Sequence, residues 1–125
     1  MGTRAVYTFK DERGSHSVYK HYDGYPEGEG GGFGAYGFIK AAKAYAWELP
    51  RFDASEFAAA FIAANKTQAG GDVYLTYGHE EHGDLEYRYE ISADKDKLIV
   101  KVFKGEDYDE DSRKQIYSPH GEVIL

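Results

Sequence analysis

The stretch Leu85-Glu86-Tyr87-Arg88-Tyr89-Glu90-Ile91 alternates strictly between apolar or aromatic residues and charged ones. Successive side chains of a β-strand point to opposite faces of a sheet, so this pattern predicts a strand with one packed face and one solvated face. The side chains expected on the packed face are those of Leu85, Tyr87, Tyr89 and Ile91. The sheet that contains this strand should therefore be covered on one side and wet on the other.

Other strand-like runs lie before and after this stretch. Asp11-Glu12-Arg13-Gly14-Ser15 supplies turn residues between the first two runs, so an N-terminal hairpin is predicted. Asp94-Lys95-Asp96-Lys97 provides a second turn. The predicted strands cover residues 4–10, 17–22, 72–77, 84–92 and 97–104, and residues 115–118 are a candidate for a short edge strand.

Two helices are predicted between the second and third strands. Residues 35–47 are rich in alanine and have one apolar face, and Pro50 is expected to stop this helix. The second helix is predicted over about residues 54–66, because Asp53 and Glu56 form the pattern of a capping box before an apolar run. The order ββααβββ predicts an α+β fold, with two helices packed on one face of an antiparallel sheet of about five strands.

The 125 residues predict a single domain, since chains of this length usually form one hydrophobic core. A glycine-rich stretch over residues 27–34 predicts a flexible loop, because glycine loses more backbone entropy on ordering than other residues do. The C-terminal segment, residues 105–125, is acidic, and its composition leaves open whether it is ordered or mobile.

Composition limits the compartment and the partners. No run is apolar enough for a membrane span, and the lack of cysteine is compatible with a reducing compartment, so a soluble cytoplasmic protein is expected. The net charge of -7 argues against direct nucleic-acid binding, which needs a basic surface. An acidic surface instead suits a basic protein partner, or simply keeps the protein soluble.

The stretch from Val18 to Gly28 combines aromatic, basic and acidic side chains at the end of a predicted strand. Rings supply stacking surfaces and charged groups supply directed hydrogen bonds, which is the mixture that a binding site uses. The candidate binding residues here are Lys20, His21, Tyr22, Asp23 and Tyr25. The alternative is a structural role, in which Asp23 caps a turn and Tyr25 covers the core.

A second candidate surface is the acidic run near the C-terminus. Its carboxylates would suit a basic partner, although such runs are usually solvated. The residues of this candidate partner-binding segment are Glu106, Asp107, Asp109, Glu110 and Asp111.

Motifs for catalysis or metal binding are weak. His79 and His82 lie three residues apart in a predicted hairpin loop, a spacing that does not match the zinc-protease motif. Together with His21 or Asp23 they would still offer imidazole and carboxylate ligands to a metal ion. The glycine-rich loop lacks the Walker sequence, and no serine lies in the glycine-flanked turn of hydrolases. We therefore name no catalytic residue, no metal ligand and no cofactor.

Two segments around His21 and His82 carry further patterns. The first reads Val-Tyr-x-His-x-Asp-Gly-Tyr-Pro-x-Gly, at positions Val18, Tyr19, His21, Asp23, Gly24, Tyr25, Pro26 and Gly28. The second reads His-Gly-Asp-x-Glu-Tyr-Arg-Tyr, at positions His82, Gly83, Asp84, Glu86, Tyr87, Arg88 and Tyr89. From Ala5 to about Phe103 the chain resembles a family of small uncharacterised phage and prophage proteins that share these segments. The second segment contributes His82, Asp84, Tyr87 and Arg88 to the candidate binding residues. Both segments are expected to meet, because the Val18 strand is predicted to pair near the Asp84 strand.

The resemblance implies a phage origin, and short acidic phage proteins often block host defences by covering a protein surface. The leading expectation is a non-catalytic inhibitor of counter-defence type, similar to anti-CRISPR proteins, that binds a host protein in the bacterial cytoplasm. The alternative is a binder that sequesters a nucleotide signal through Lys20, His21, Tyr22, Tyr25 and Arg88. A weaker alternative is an enzyme that uses His21, Asp23, His79 and His82. The sequence leaves the oligomeric state open.

Overall fold

The computed structural model describes residues 3–27, 34–66 and 72–125. The elements in chain order are β1 (Ala5–Asp11), β2 (Gly14–Lys20), α1 (Ala35–Lys43), α2 (Ala54–Asn65), β3 (Val73–Thr76), β4 (Tyr87–Asp94), β5 (Lys97–Asp109) and β6 (Lys114–Ile124). A short 3-10 turn, His79–Glu81, lies between β3 and β4. The predicted α+β class is confirmed. The flexible loop predicted over residues 27–34 lies outside the described residues except at its two ends.

The sheet has six strands in the order β3-β2-β1-β4-β5-β6. All neighbouring strands are antiparallel except β1 and β4, which pair in parallel from Ala5↔Tyr87 to Phe9↔Ile91. The predicted antiparallel sheet of about five strands is therefore wrong in detail, because the sheet is mixed and the order is ββααββββ. β3 takes the free edge of β2, so β4 pairs with the other edge of β1, and the chain crosses the sheet between them so that this pair is parallel.

This topology also determines how β3 connects to β4. Both strands run parallel to β1, since β1 pairs antiparallel with β2 and β2 pairs antiparallel with β3. Parallel strands cannot be joined by a hairpin and need a connection that crosses the sheet. The hairpin loop predicted around His79 and His82 is therefore wrong, and residues 77–86, here called the crossing segment, pass over β2 and β1 instead.

Both helices pack on one face of the sheet, as predicted. The ring of Phe61 in α2 lies 4.6 Å from that of Tyr7 in β1, and the Phe57 ring lies 5.4 Å from that of Phe9. Phe38 and Ile39 of α1 join the same buried cluster. The opposite face, here called the open face, carries the alternate residues of the strands.

The end of α1 and the start of α2 differ from the prediction. α1 ends at Lys43, well before Pro50, and the chain turns there. Asp53 makes no side-chain cap at the start of α2, so the predicted capping box is wrong. Instead, Asp11 at the end of β1 accepts a hydrogen bond from the Ala54 N–H at 2.8 Å, which lowers the pKa of the Asp11 carboxyl.

The C-terminal segment forms a long hairpin. β5 pairs with β4 only as far as Lys104, and Gly105–Asp109 continue the strand in pairing with β6 alone. The candidate strand over residues 115–118 is part of the eleven-residue strand β6. The composition indicated an acidic run without predicting these pairs, because cross-strand pairing depends on residues on both sides of the turn.

Candidate functional site

The crossing segment is anchored to the open face at its C-terminal end. Leu85 is only 2 % exposed and packs with Val6 and Tyr19. The Leu85 N–H donates to Gln115 Oε1 at 2.9 Å, and Gln115 Nε2 donates back to the Leu85 carbonyl at 2.5 Å. Leu85 thus lies on the face opposite to the predicted one, because β4 begins only at Tyr87 and the alternation before it belongs to the crossing segment.

The close fit of the crossing segment requires a glycine in β5. A Cβ atom on Gly105 would overlap the carbonyl group of Leu85. The Gly105 N–H also donates to the Glu86 carbonyl at 2.7 Å. The absence of a side chain at position 105 therefore lets the two backbones approach each other.

His82 attaches the middle of the crossing segment to β2 and β3. Its ring stacks on Tyr19, with centroids 4.7 Å apart, and its Nε2 atom lies 2.9 Å from Thr76 Oγ1. Burial lowers the pKa of His82, against the opposing effect of Asp84 and Glu81. A largely neutral imidazole fits this position, since it can stack on a ring and share one hydrogen bond.

The two segments around His21 and His82 meet in the structure. Besides the Tyr19–His82 stack, the Tyr89 hydroxyl donates to the Gly24 carbonyl at 2.5 Å. The Tyr19 hydroxyl lies 2.8 Å from Nδ1 of His21, which brings His21 to the same cluster. The meeting does not come from pairing of the two strands, because β1 lies between β2 and β4.

Of the remaining candidates of the first segment, Tyr22 joins His21, with the two rings edge-on and their centroids 4.6 Å apart, whereas Lys20 and Asp23 make other contacts. Lys20 faces the helices and is 6 % exposed, with its Nζ atom 4.2 Å from the centre of the Phe38 ring. Burial lowers the pKa of Lys20, and Nζ donates to the Tyr22 carbonyl at 3.0 Å. Asp23 has a left-handed backbone with φ of 58° and accepts a hydrogen bond from the Tyr25 hydroxyl at 3.2 Å. These contacts favour the structural alternative for Asp23.

The candidates of the second segment are also divided between the faces. Tyr87 packs toward the helix side, with its ring edge-on to His120. Arg88 lies on the open face, where it donates to Glu90 Oε2 at 2.7 Å and stacks 3.9 Å from the Phe103 ring centre. Asp84 is exposed and lies 3.6 Å from Arg4 Nε.

Between the crossing segment and the strands lies a cavity of about 340 Å³, here called the loop cleft. Its lining residues are Thr8, Lys10, Ser15, Ser17, Tyr77, Gly78, His79, Glu80, Glu81 and Glu90. On its floor the hydroxyls of Thr8 and Ser17 are 2.9 Å apart and buried. On its wall Lys10 Nζ donates to Glu90 Oε1 at 3.1 Å.

The cleft roof carries the imidazole of His79 beside the carboxylates of Glu80 and Glu81. The His79 ring stands edge-on to Tyr117 at 5.5 Å, and burial followed by the nearby charge of Arg88 lowers its pKa. A histidine whose pKa lies below the usual value of about 6.5 is mostly neutral at neutral pH. The loop cleft is therefore a polar site whose positive groups already have a carboxylate partner in Glu90.

Sequence reasoning did not identify the strand residues of the cleft. Thr8 and Lys10 occupy alternate positions of β1, and Ser17 pairs with Thr8 across β2. Alternation in the predicted hairpin could have placed these side chains on one face. The crossing segment that covers them could not be anticipated, because it depends on the parallel pairing of β1 with β4.

The acidic run lies at the end of the β5–β6 hairpin, here called the hairpin tip, residues 105–113. Asp109 accepts hydrogen bonds from the Asp111 N–H at 3.2 Å and from Ser112 Oγ at 2.8 Å, which order the turn. The strand that follows the tip contacts the crossing segment, since Lys114 Nζ at the start of β6 lies 3.8 Å from Glu80 Oε2. Four of the five predicted acidic residues of the segment, Glu106, Asp107, Glu110 and Asp111, are exposed on this hairpin, whereas Asp109 is partly buried and holds the turn.

The histidines considered for a metal site have different surroundings, since His82 contacts Tyr19 and His79 contacts Tyr117. Within residues 3–27, 34–66 and 72–125, no three His, Asp or Glu side chains are grouped to hold a metal ion. In the same ranges no helix has the length and apolar character needed to cross a membrane. Comparison of the chain with protein-family models, curated proteins and solved structures gives no match.

Proposed function

We propose that the protein is a non-catalytic binding protein whose hairpin tip occupies a basic surface of a partner protein. The observation that carries this proposal is the exposure of Glu106, Asp107, Glu110 and Asp111 on the part of the β5–β6 hairpin where β5 no longer pairs with β4. This part of the hairpin contains the acidic run of the chain. Charge exposed there is accessible to a partner surface.

Order in the hairpin tip supports binding without a large ordering cost. The ladder pairs Tyr108 with Gln115 and Asp109 with Lys114, and the turn is held by the hydrogen bonds to Asp109. A segment that is already in its bound conformation loses less entropy on association. Its carboxylates also steer a basic partner during encounter, which raises the association rate at low salt.

Two apolar side chains on the same hairpin provide anchors. Tyr108 and Ile116 are each about half exposed, beside the carboxylates. Energetically dominant contacts in interfaces are usually aromatic or apolar groups that become fully desolvated, whereas rim charges mainly give rate and specificity. Tyr108 in the hairpin tip and Ile116 beside it in β6 therefore add apolar contacts to the charges of the tip.

The resemblance to small phage proteins suggests the class of partner. We propose a host protein with a basic surface, such as a defence protein that uses that surface for nucleic acid, and hence an inhibitor of counter-defence type acting in the bacterial cytoplasm. An acidic hairpin would compete with nucleic acid for such a surface because both present closely spaced negative charges.

The test is affinity capture from bacterial lysate with three forms of the full chain. The tip variant carries Asp107→Asn, Glu110→Gln and Asp111→Asn, which leave the Asp109 turn intact. The control variant removes the same number of charges elsewhere, through Glu12→Gln, Asp94→Asn and Asp96→Asn. Capture of the same protein by the unmodified and control chains, with loss at high salt and in the tip variant, is the expected result. Equal capture by the tip variant would refute the proposal.

The nucleotide-sequestering alternative receives no comparable support from the geometry. Of the residues expected to contact base and phosphate, Lys20 faces the helices and is buried, whereas Arg88 is on the open face and held by Glu90. These two cations therefore do not point into one site. A nucleotide site would have to use another set of residues.

A further inference from the structure

The loop cleft has the charge balance of a site for a cation. Three glutamates, Glu80, Glu81 and Glu90, line it together with one lysine, Lys10. Glu90 already holds that lysine at 3.1 Å and also accepts from Arg88 at 2.7 Å. An anion entering the cleft would find these cations neutralised and would face the carboxylates of the roof. A cation would be attracted by the same carboxylates.

The floor of the cleft offers hydroxyl chemistry. Thr8 Oγ1 and Ser17 Oγ share one hydrogen bond at 2.9 Å, and either can be its donor. One hydroxyl hydrogen of the pair is therefore left for another acceptor, and each oxygen retains acceptor capacity. Buried hydroxyls with this remaining capacity suit a ligand that carries hydroxyl groups of its own.

The lip of the cleft offers an apolar surface. Tyr77 lines the cleft and is 98 % exposed, so its ring packs against almost nothing in the folded chain. An exposed aromatic ring beside convergent polar groups gives a ligand one apolar contact and several directional ones. A saturated ring with C–H groups on its face and hydroxyl groups on its rim has the complementary shape.

We propose that the loop cleft binds a small hydroxylated amine of about the size of an amino sugar. Its ammonium group is placed at the roof carboxylate of Glu81, away from the Lys10 and Arg88 cations that Glu90 holds, its hydroxyls at the Thr8–Ser17 pair, and its C–H face under the ring of Tyr77. The volume of about 340 Å³ fits a ligand of this size, at the lower end of the range of small-molecule sites. The inference is independent of the hairpin tip and of the partner proposed for it.

The test is an NMR titration of the isotopically labelled full chain. The probes are D-glucosamine, D-glucose as the same ring without the charge, D-glucose 6-phosphate as its anion, and lysine amide as an ammonium group without the hydroxylated ring. We expect saturable shifts at Thr8, Ser17 and Tyr77 with D-glucosamine, binding at least several-fold weaker with D-glucose and lysine amide, and none with the phosphate. Lysine amide separates a free amino sugar from the lysine side chain of a protein partner.

Variants link the shifts to the cleft. Ser17→Ala should weaken D-glucosamine binding about three- to tenfold, as expected for loss of one hydrogen bond. Glu81→Gln should weaken it to a smaller extent, whereas Glu122→Gln, on the exposed face of β6, should leave it unchanged. The unliganded spectrum of each variant reports whether it folds. Absence of saturable shifts, equal binding of D-glucose or of lysine amide, or unchanged affinity in both cleft variants would overturn the proposal.

Discussion

Leu85→Ala tests whether the crossing segment is an integral part of the fold. Leu85 is 2 % exposed and packs on Val6 and Tyr19 outside the main core. Its backbone is fixed by two hydrogen bonds with Gln115, so the segment cannot move inward to fill the space left by the side chain. Leucine-to-alanine changes in cores cost about 2–5 kcal/mol, and poor relaxation places this one near about 3 kcal/mol or above.

The matched control for that variant is Leu75→Ala, which makes the same chemical change on β3 at a side chain that is 63 % exposed. Surface changes of this kind are usually within about 0.5 kcal/mol. Urea denaturation followed by circular dichroism gives the free energy of unfolding of both variants and of the unmodified chain. Equal effects of the two changes, or a cost below about 1 kcal/mol for Leu85→Ala, would refute the conclusion that Leu85 forms a small apolar core with Val6 and Tyr19 on the open face.

Three further predictions concern packing and pH. Gly105→Ala should lower the free energy of unfolding by about 1–3 kcal/mol through overpacking. Gly121→Ala is its control, because a Cβ there meets nothing within 4 Å. Similar urea midpoints of the two variants would contradict the overpacking at Gly105. Tyr89→Phe should destabilise by about 1 kcal/mol because a buried carbonyl loses its donor, whereas Tyr7→Phe, which removes a buried hydroxyl without a partner, should be neutral or stabilising in the same assay. Burial lowers the pKa of the two histidines of the crossing segment, so the unfolded chain binds protons first. Stability should be fully present above about pH 6.5 and decline modestly as the pH falls below it, because both rings remain partly exposed to solvent. NMR titration of their ring protons should give pKa values below 6.5, and values at or above this reference would contradict the burial argument.

Local signals in the sequence predicted the local structure. The β1–β2 hairpin follows from Asp11 and Gly14, since the Asp11 side chain accepts from the Arg13 and Gly14 N–H groups in the turn. The helices follow from their apolar faces. The turn at Asp94-Lys95-Asp96-Lys97 joins β4 to β5 as predicted, with Lys95 in the left-handed region. Each of these features depends on residues only a few positions apart.

The errors have a common physical origin in non-local pairing. The alternation from Leu85 to Ile91 gives a period of two, but it contains no information on which strand is the neighbour or in which direction that neighbour runs. β4 pairs in parallel with β1 only from Tyr87 onward. Leu85 therefore lies before the strand, and its side chain packs on the other face of the sheet. Asp53 showed the same limitation, since the acceptor that caps α2 comes from a residue 43 positions away.

The candidate binding residues were affected by the same limitation to different degrees. His21 and His82 were named from separate segments, and the structure places both rings against Tyr19. Lys20 was named with His21 because the two are adjacent, yet adjacent residues of a strand point to opposite faces. Proximity in sequence was therefore a poor guide at Lys20, whereas Tyr22, the other neighbour of His21, does contact its ring.

The polar character of the loop cleft follows from the way the crossing segment covers the open face. Its C-terminal end buries Leu85 in a small apolar core, but its N-terminal end covers Lys10, Glu90 and the Thr8–Ser17 pair instead of apolar groups. Covering charged groups costs solvation free energy. If these strand positions served only to hold the crossing segment in place, apolar residues there would give a more stable contact than the polar ones do. Ion pairing of Lys10 and Arg88 with Glu90 reduces that cost without producing an apolar surface. A second apolar core at this end would have closed the cleft, so retention of satisfied polar groups there, beside an unpacked tyrosine ring, favours a ligand over a purely structural role.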